Sequence, residues 1–256
     1  MGFYDLDKAQ RIKLVEKIQD ELKRDLEHNS RTHLLSRFSD EDTYIRKSAY
    51  LSAGRIYFSA LAQREKIISI LWELLREEDF RIRQTVVNAA GEIGIKEFEA
   101  VAEFFDKNLF DEHHSVRNAV IGSMKKIGQK NPGPLLKWAK NYLHHPDKEI
   151  RREICHGIEL RGRTHPQDIL PLLKELQFDP TARVRNTLVH VLGQIAYKKE
   201  CLVTVITELK KWKNKELVTK AIAEIVDVHH RYRNFSALTQ AQAKKFIRES
   251  LEGHEE

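Results

Sequence analysis

The sequence predicts an all-α protein, a right-handed α-solenoid of about six helix-pair repeats closed by a helical cap at each end. Three observations carry the prediction. An aliphatic residue followed by Arg recurs as Ile45-Arg46, Ile82-Arg83, Val116-Arg117, Ile150-Arg151 and Val184-Arg185, with the arginines 37, 34, 34 and 34 residues apart. A fixed period of this kind marks stacked supersecondary units. Each Arg is followed by the same pattern: Ala49, Val86, Val120, Ile154 and Leu188 at +3, small or apolar residues at +6 and +7, and Ile56, Ile93, Ile127 and Ile195 at +10. Positions −1, +3, +7 and +10 share one face of a helix. A further helical segment precedes each Arg, so one repeat is two antiparallel helices, and neither can bury its stripe without neighbours.

The elements follow in order within one domain over 1–256. Residues 5–30 hold an amphipathic cap helix with Ile12, Val15, Ile18, Leu22 and Leu26 on one side. The repeats occupy 31–235, their first helices including REKIISILWELL, EFEAVAEFFDKNLF, PGPLLKWAKNYL and PQDILPLLKEL. Thirty-four residues beyond Arg185, Val218-Thr219 within KELVTKAIAEIV marks a degenerate sixth copy that has lost its Arg. Residues 236–256 form a closing helix, with Thr239 as its N-cap, and a polar tail.

Composition bounds the function. With 41% hydrophobic and 32% charged residues the chain reads as globular. It carries no apolar run long enough to span a membrane and no signal-type N-terminus, so a cytoplasmic, untethered protein is expected. Cys155 and Cys201 lack CxxC spacing and are expected as buried thiols. Charge is uneven: residues 1–100 hold 17 Lys+Arg against 18 Asp+Glu, whereas 112–248 hold 26 Lys+Arg, about twice their Asp+Glu. Such asymmetry fits an anionic partner, nucleic acid first.

An acid six residues before the Arg, followed by a small, Gly-containing helix, as in FRIRQTVVNAAGEIG and TARVRNTLVHVLGQIA, resembles the HEAT family and its short-period HEAT-like repeats over about residues 30–230. The resemblance implies a ladder of polar contacts between turn acids and second-helix arginines. Asp40 with Arg46, Asp111 with Arg117 and Asp179 with Arg185 match; Glu77 stands in before Arg83, and His145 before Arg151 departs, so the ladder should be weakest at the fourth copy. Residues 157–196 also resemble part of the HEAT-like DNA alkylation-repair glycosylases, which implies a basic concave face cradling duplex DNA. That family's Trp-x3-Asp arrangement is not reproduced, since Trp138 is followed by Tyr142, and Asp168 and Trp212 have no motif context; no catalytic residue is carried over.

Other chemistry finds no motif. His113-His114, His144-His145 and His229-His230 are adjacent pairs, with His156 and His190 on successive second helices; adjacent residues point 100° apart on a helix and do not chelate as His at i and i+4 would, so no metal site is expected. The iron-dependent deoxyhypusine hydroxylases, themselves HEAT-repeat enzymes, use recurring His-Glu dipeptides; here His254-Glu255 stands alone in the tail. HHPDKE at 144–149 contains a His-Pro-Asp, but its place in the period makes Asp147 a helix cap. No Gly-rich phosphate loop, GxSxG or HExxH occurs, and no cofactor is expected.

What remains is the second-helix face opposite the buried stripe, at +1, +5, +8 and +12. In copies three to five it reads Asn118, Gly122, Lys125, Gln129; Arg152, His156, Glu159, Arg163; and Asn186, His190, Gly193, Tyr197. In HEAT stacks, the resemblance implies, second helices line the concave surface. Asn118, Lys125, Arg152, His156, Arg163, Asn186, His190 and Tyr197 are therefore the binding candidates, while Asp40, Arg46, Arg83, Asp111, Arg117, Arg151, Asp179 and Arg185 are the structural ladder. The function expected is non-catalytic recognition of an anionic macromolecule or a protein partner through residues 112–248, without membrane or small-molecule cofactor. The alternative is a DNA-binding protein of the alkylation-repair glycosylase type, active or degenerate.

Overall fold

The computed structural model describes residues 2–252, all of whose regular structure is helical. His254-Glu255 and the end of the polar tail lie outside them. The chain divides into two compact units, Met1–Asn131 and Pro132–Glu256. No helix is long and apolar enough to cross a membrane.

The first unit opens with α1 (Lys8–His28), begun by a reciprocal cap in which Asp7 accepts the Gln10 N–H while the Gln10 side chain accepts that of Asp7. Three helix pairs follow: α2 (Thr32–Phe38) with α3 (Thr43–Ser59), α4 (Arg64–Leu74) with α5 (Phe80–Gly94), and α6 (Ala102–Asn108) with α7 (His114–Lys130). Their core is the stripe the period predicts: Ile45, Ala49, Ala53 and Ile56; Ile82, Val86, Ala90 and Ile93; Val116, Val120, Met124 and Ile127, all buried. On α1, Ile18, Leu22 and Leu26 are buried, but Ile12 is 52% exposed. It belongs to the sequence periodicity without joining the core.

The second unit repeats the plan: α8 (Pro132–Lys140) with a second helix split into α9 (Lys148–Gly157) and α10 (Glu159–Gly162), α11 (Pro166–Glu175) with α12 (Ala182–Ala196), α13 (Cys201–Leu209) with α14 (Lys215–Arg231), and the closing α15 (Gln240–Glu252). Asp147 caps α9 through the Glu149 N–H at 2.8 Å, and Thr239 with Gln242 forms the reciprocal cap of α15. Cys155 and Cys201 are free, buried thiols; burial pushes the Cys155 thiol well up, out of thiolate chemistry. The sixth copy needs one correction. Its buried stripe is Leu217, Ala221, Ile225 and Val228, one residue earlier than a strict 34-residue step would place it, because the hydrophobic stripe rather than the lost Arg sets the register.

The ladder exists but is wired differently from the six-residue pairing. Arg46, Arg117 and Arg185 each donate to the main-chain carbonyl six residues back, on Asp40, Asp111 and Asp179, rather than to that residue's carboxylate. The carboxylates serve other donors. Asp111 takes both Nε and Nη2 of Arg83 at 2.8 and 3.1 Å, Asp179 takes those of Arg151 at 2.6 and 3.0 Å, and each also accepts the N–H two residues on. The rung therefore joins the Arg of one copy to the Asp of the next by a bidentate pair. This overturns the expected weakness at copy four: Arg151 uses the carbonyls of His145 and Pro146 together with Asp179, and a carbonyl is present whatever side chain residue 145 carries. Burial pushes the Asp111 and Asp179 carboxyls up, but the bonds from Arg83 or Arg151 and from the main chain outweigh it and hold both below the ordinary range.

Candidate functional site

In the second unit the faces of α9 and α12 form an open cavity of about 500 Å³ lined by Arg152, His156, Arg183, Asn186, Thr187 and His190. The period builds it: Arg152 and Asn186 are the +1 residues of consecutive copies and His156 and His190 the +5 residues, so stacking sets like beside like. The imidazoles of His156 and His190 lie edge to face, centroids 6.2 Å apart. Arg183 is 64% exposed, with its Nε 3.3 Å from Glu149.

The other predicted cations are less available than their spacing implied. Arg152 pairs with Glu149 at 2.9 Å and with the buried Glu153 at 3.5 Å. Arg163 donates to Glu159, a carboxylate only 2% exposed, and to the Gln194 side-chain oxygen at 3.0 Å. Both arginines neutralise buried acids, so removing either disturbs packing as well as surface charge.

Two other placements differ from the sequence reading. Tyr197 is not on an exposed row: it is 4% exposed and stacks on Tyr232, centroids 5.4 Å apart, because +12 falls where α12 ends against the residues after α14. The +8 position is likewise a helix contact. A Cβ on Gly91 would meet Ser123 Oγ at 2.3 Å, and one on Gly193 would meet Glu224 Cγ at 2.7 Å. Asn118 is exposed and Lys125 half-buried, both on α7 in the first unit. Arg183 and Thr187 were missed as cavity residues, although Arg183 stands three residues before Asn186 on the same face.

The histidine pairs serve local structure in part. His113 caps α7 through the Ser115 N–H and stacks on Phe80 at 3.7 Å, and His229 is buried, its Nδ1 bonded to the Ile225 carbonyl at 2.7 Å. Burial holds the His229 pKa below its ordinary value, outweighing that bond. The expectation of no metal site rested on the geometry of the adjacent pairs and did not weigh what stacking does to His156 and His190 on successive second helices. Stacking instead brings His156, Glu159 and His190 together across α9, α10 and α12, one ligand atom from each within 4.8 Å of the others.

These features define a helical-repeat protein of HEAT-like build. Among solved structures the chain is similar to AlkD2 from Streptococcus mutans, at 18% identity over 80% of this chain and 97% of that one, with a TM-score of 0.56. A computationally designed armadillo repeat protein for modular peptide recognition matches at 16% identity over 75% of this chain and 97% of that one, with a TM-score of 0.31. No protein-family model and no curated protein matches the chain.

Proposed function

We propose that the protein is a non-catalytic repeat module that binds the phosphates of a nucleic acid on the α9–α12 face of its second unit. One observation carries this reading: the cavity there gathers two guanidinium groups, two imidazoles, an amide and a hydroxyl, all able to donate to phosphate oxygens. The likeness in fold to AlkD2 and the resemblance of residues 157–196 to alkylation-repair glycosylases favour DNA among nucleic acids. A non-catalytic role fits the two tryptophans of the second unit, since Trp138 and Trp212 are 7% and 1% exposed and neither can stack on a base. Asp168 is tied to Arg161 at 2.6 Å, which leaves it poorly placed to stabilise a departing alkylated base. Two buried free thiols suit a reducing compartment, and we place the protein in the cytoplasm.

Binding of duplex DNA measured against salt tests the reading. A groove making about five phosphate contacts gives a slope of log K against log salt near −4.5. Flat or absent binding removes nucleic acid and leaves a protein partner. Release of methylated bases from bound DNA overturns the non-catalytic role.

A further inference from the structure

The geometry points to a divalent transition-metal site formed by His156, Glu159 and His190, with zinc the ion its chemistry suits. This inference does not depend on nucleic-acid binding. It begins with an anomaly of the repeat. The +8 residue is Gly54, Gly91 and Gly193 in copies one, two and five, where an added Cβ would lie 2.3 to 2.8 Å from the next second helix, and the half-buried Lys125 in copy three. In copy four the same position holds Glu159, 1% exposed. Directly before it the second helix is interrupted at Ile158, whereas α3, α5, α7, α12 and α14 run unbroken among the described residues. Local breaks in a helix often mark functional sites. A buried carboxylate where three sibling copies have no side chain costs free energy unless partners stabilise its charge.

The partners are arranged as a metal site needs them. Arg163 donates to Glu159 Oε1, orienting the group, while Oε2 faces His156 Nε2 at 3.1 Å. Tetrahedral zinc with nitrogen and oxygen ligands at about 2.0–2.1 Å sets neighbouring ligand atoms about 3.3 Å apart, so the His156–Glu159 pair already has the required spacing. His190 completes the set within 4.8 Å, and its side chain, 45% exposed, has room to close the remaining gap. Its Nδ1 lies 3.8 Å from Glu224 Oε1, an oxygen that also takes Arg231. Two histidines and one glutamate with an open fourth position form a recognised zinc set. Here the open side faces the cavity of Arg152, Arg183 and Asn186, where a water or an anionic oxygen would complete the coordination. Glu149 and Glu153 offset Arg152, and Glu149 also offsets Arg183.

The test is zinc titration of the full chain against a chromophoric chelator, with the visible spectrum of the cobalt-substituted protein as a second readout. The wild type should bind one equivalent and give the intense bands of tetrahedral cobalt. His190→Ala alters a half-exposed side chain and should keep the helical circular dichroism while weakening zinc at least about tenfold and abolishing those bands. His144→Ala, at a histidine 68% exposed and paired with Glu175, should bind as wild type does. No stoichiometric zinc in the wild type, or equal affinity in His190→Ala, overturns the proposal. Equal weakening in His144→Ala overturns it too, since binding would then be a property of surface histidines in general.

Discussion

The two units are built on one plan and carry different surfaces. In the first, Arg83 grips Asp111; in the second, Arg151 grips Asp179, with the same two-pronged geometry and the same pair of main-chain carbonyls behind each guanidinium. Beside these rungs the faces diverge. The first unit's cavity between α3 and α5 is lined by Tyr44, Arg46, Lys47, Tyr50, Gln84 and Asn88. Nearby, Lys126 is bound to Glu92 at 2.8 Å and lies over the Tyr50 ring. The corresponding cavity of the second unit has histidines and arginines. The difference teaches that the period fixes the side of the helix that holds the stack and leaves the other side free to vary between units.

Breaking a rung is the largest test of that shared plan. Asp111→Ala and Asp179→Ala each leave a guanidinium about nine-tenths buried without its carboxylate, a loss of about 3–5 kcal/mol read from the urea midpoint. Similar losses are expected in both units; a small effect in one would show that the rungs are not equivalent. The same carboxylates set a pH dependence. Their pKa values are lowered on folding, so their contribution is complete above the unfolded value of about 3.9 and is lost as pH falls through the folded value. Asp111→Asn and Asp179→Asn should flatten the acid limb of the stability curve.

Glycine substitutions sharpen the comparison at smaller cost. Gly91→Ala drives a Cβ into Ser123, whose Oγ and Cβ would stand 2.3 and 2.8 Å away, and should cost about 1–3 kcal/mol. Gly193→Ala meets Glu224 Cγ at 2.7 Å and Val228 Cγ2 at 3.1 Å and, with no contact as close as the 2.3 Å at Gly91, should cost less. Smaller again is a titration confined to the second unit. His229 is buried with a lowered pKa, so stability is complete above the unfolded histidine value of about 6.5 and declines as pH falls below it; His229→Gln should remove that slope. Least of all, Gly122→Ala on α7, with no atom within 4 Å of the new Cβ, should raise the thermal midpoint by the equivalent of up to about 1 kcal/mol.

The fold was legible because repetition averages out local ambiguity: five aliphatic-Arg pairs in phase outweigh any one helix propensity. Within the site, Arg152, His156, Asn186 and His190 were legible for the same reason, standing at +1 and +5 in consecutive copies. Glu159 and Tyr197 were misread because a helical wheel describes one helix and is blind to where the next one touches it. Position +8 looks outward on the wheel and is a contact in the stack. The wiring of the ladder was hidden for a related reason: a sequence lists side chains, whereas Arg46, Arg117 and Arg185 bond to main-chain carbonyls that every residue supplies.

The proposed division of labour has the α9–α12 face of the second unit binding phosphate while the ladder holds the stack. Arg183→Ala tests it most directly, because Arg183 is exposed and its pairing with Glu149 lies at the surface. Duplex DNA affinity measured across a range of salt, with the thermal midpoint recorded on the same samples, should show the slope of log K against log salt reduced by about 0.9 and the midpoint unchanged. An unchanged slope in a variant that binds as tightly as the wild type would contradict the claim.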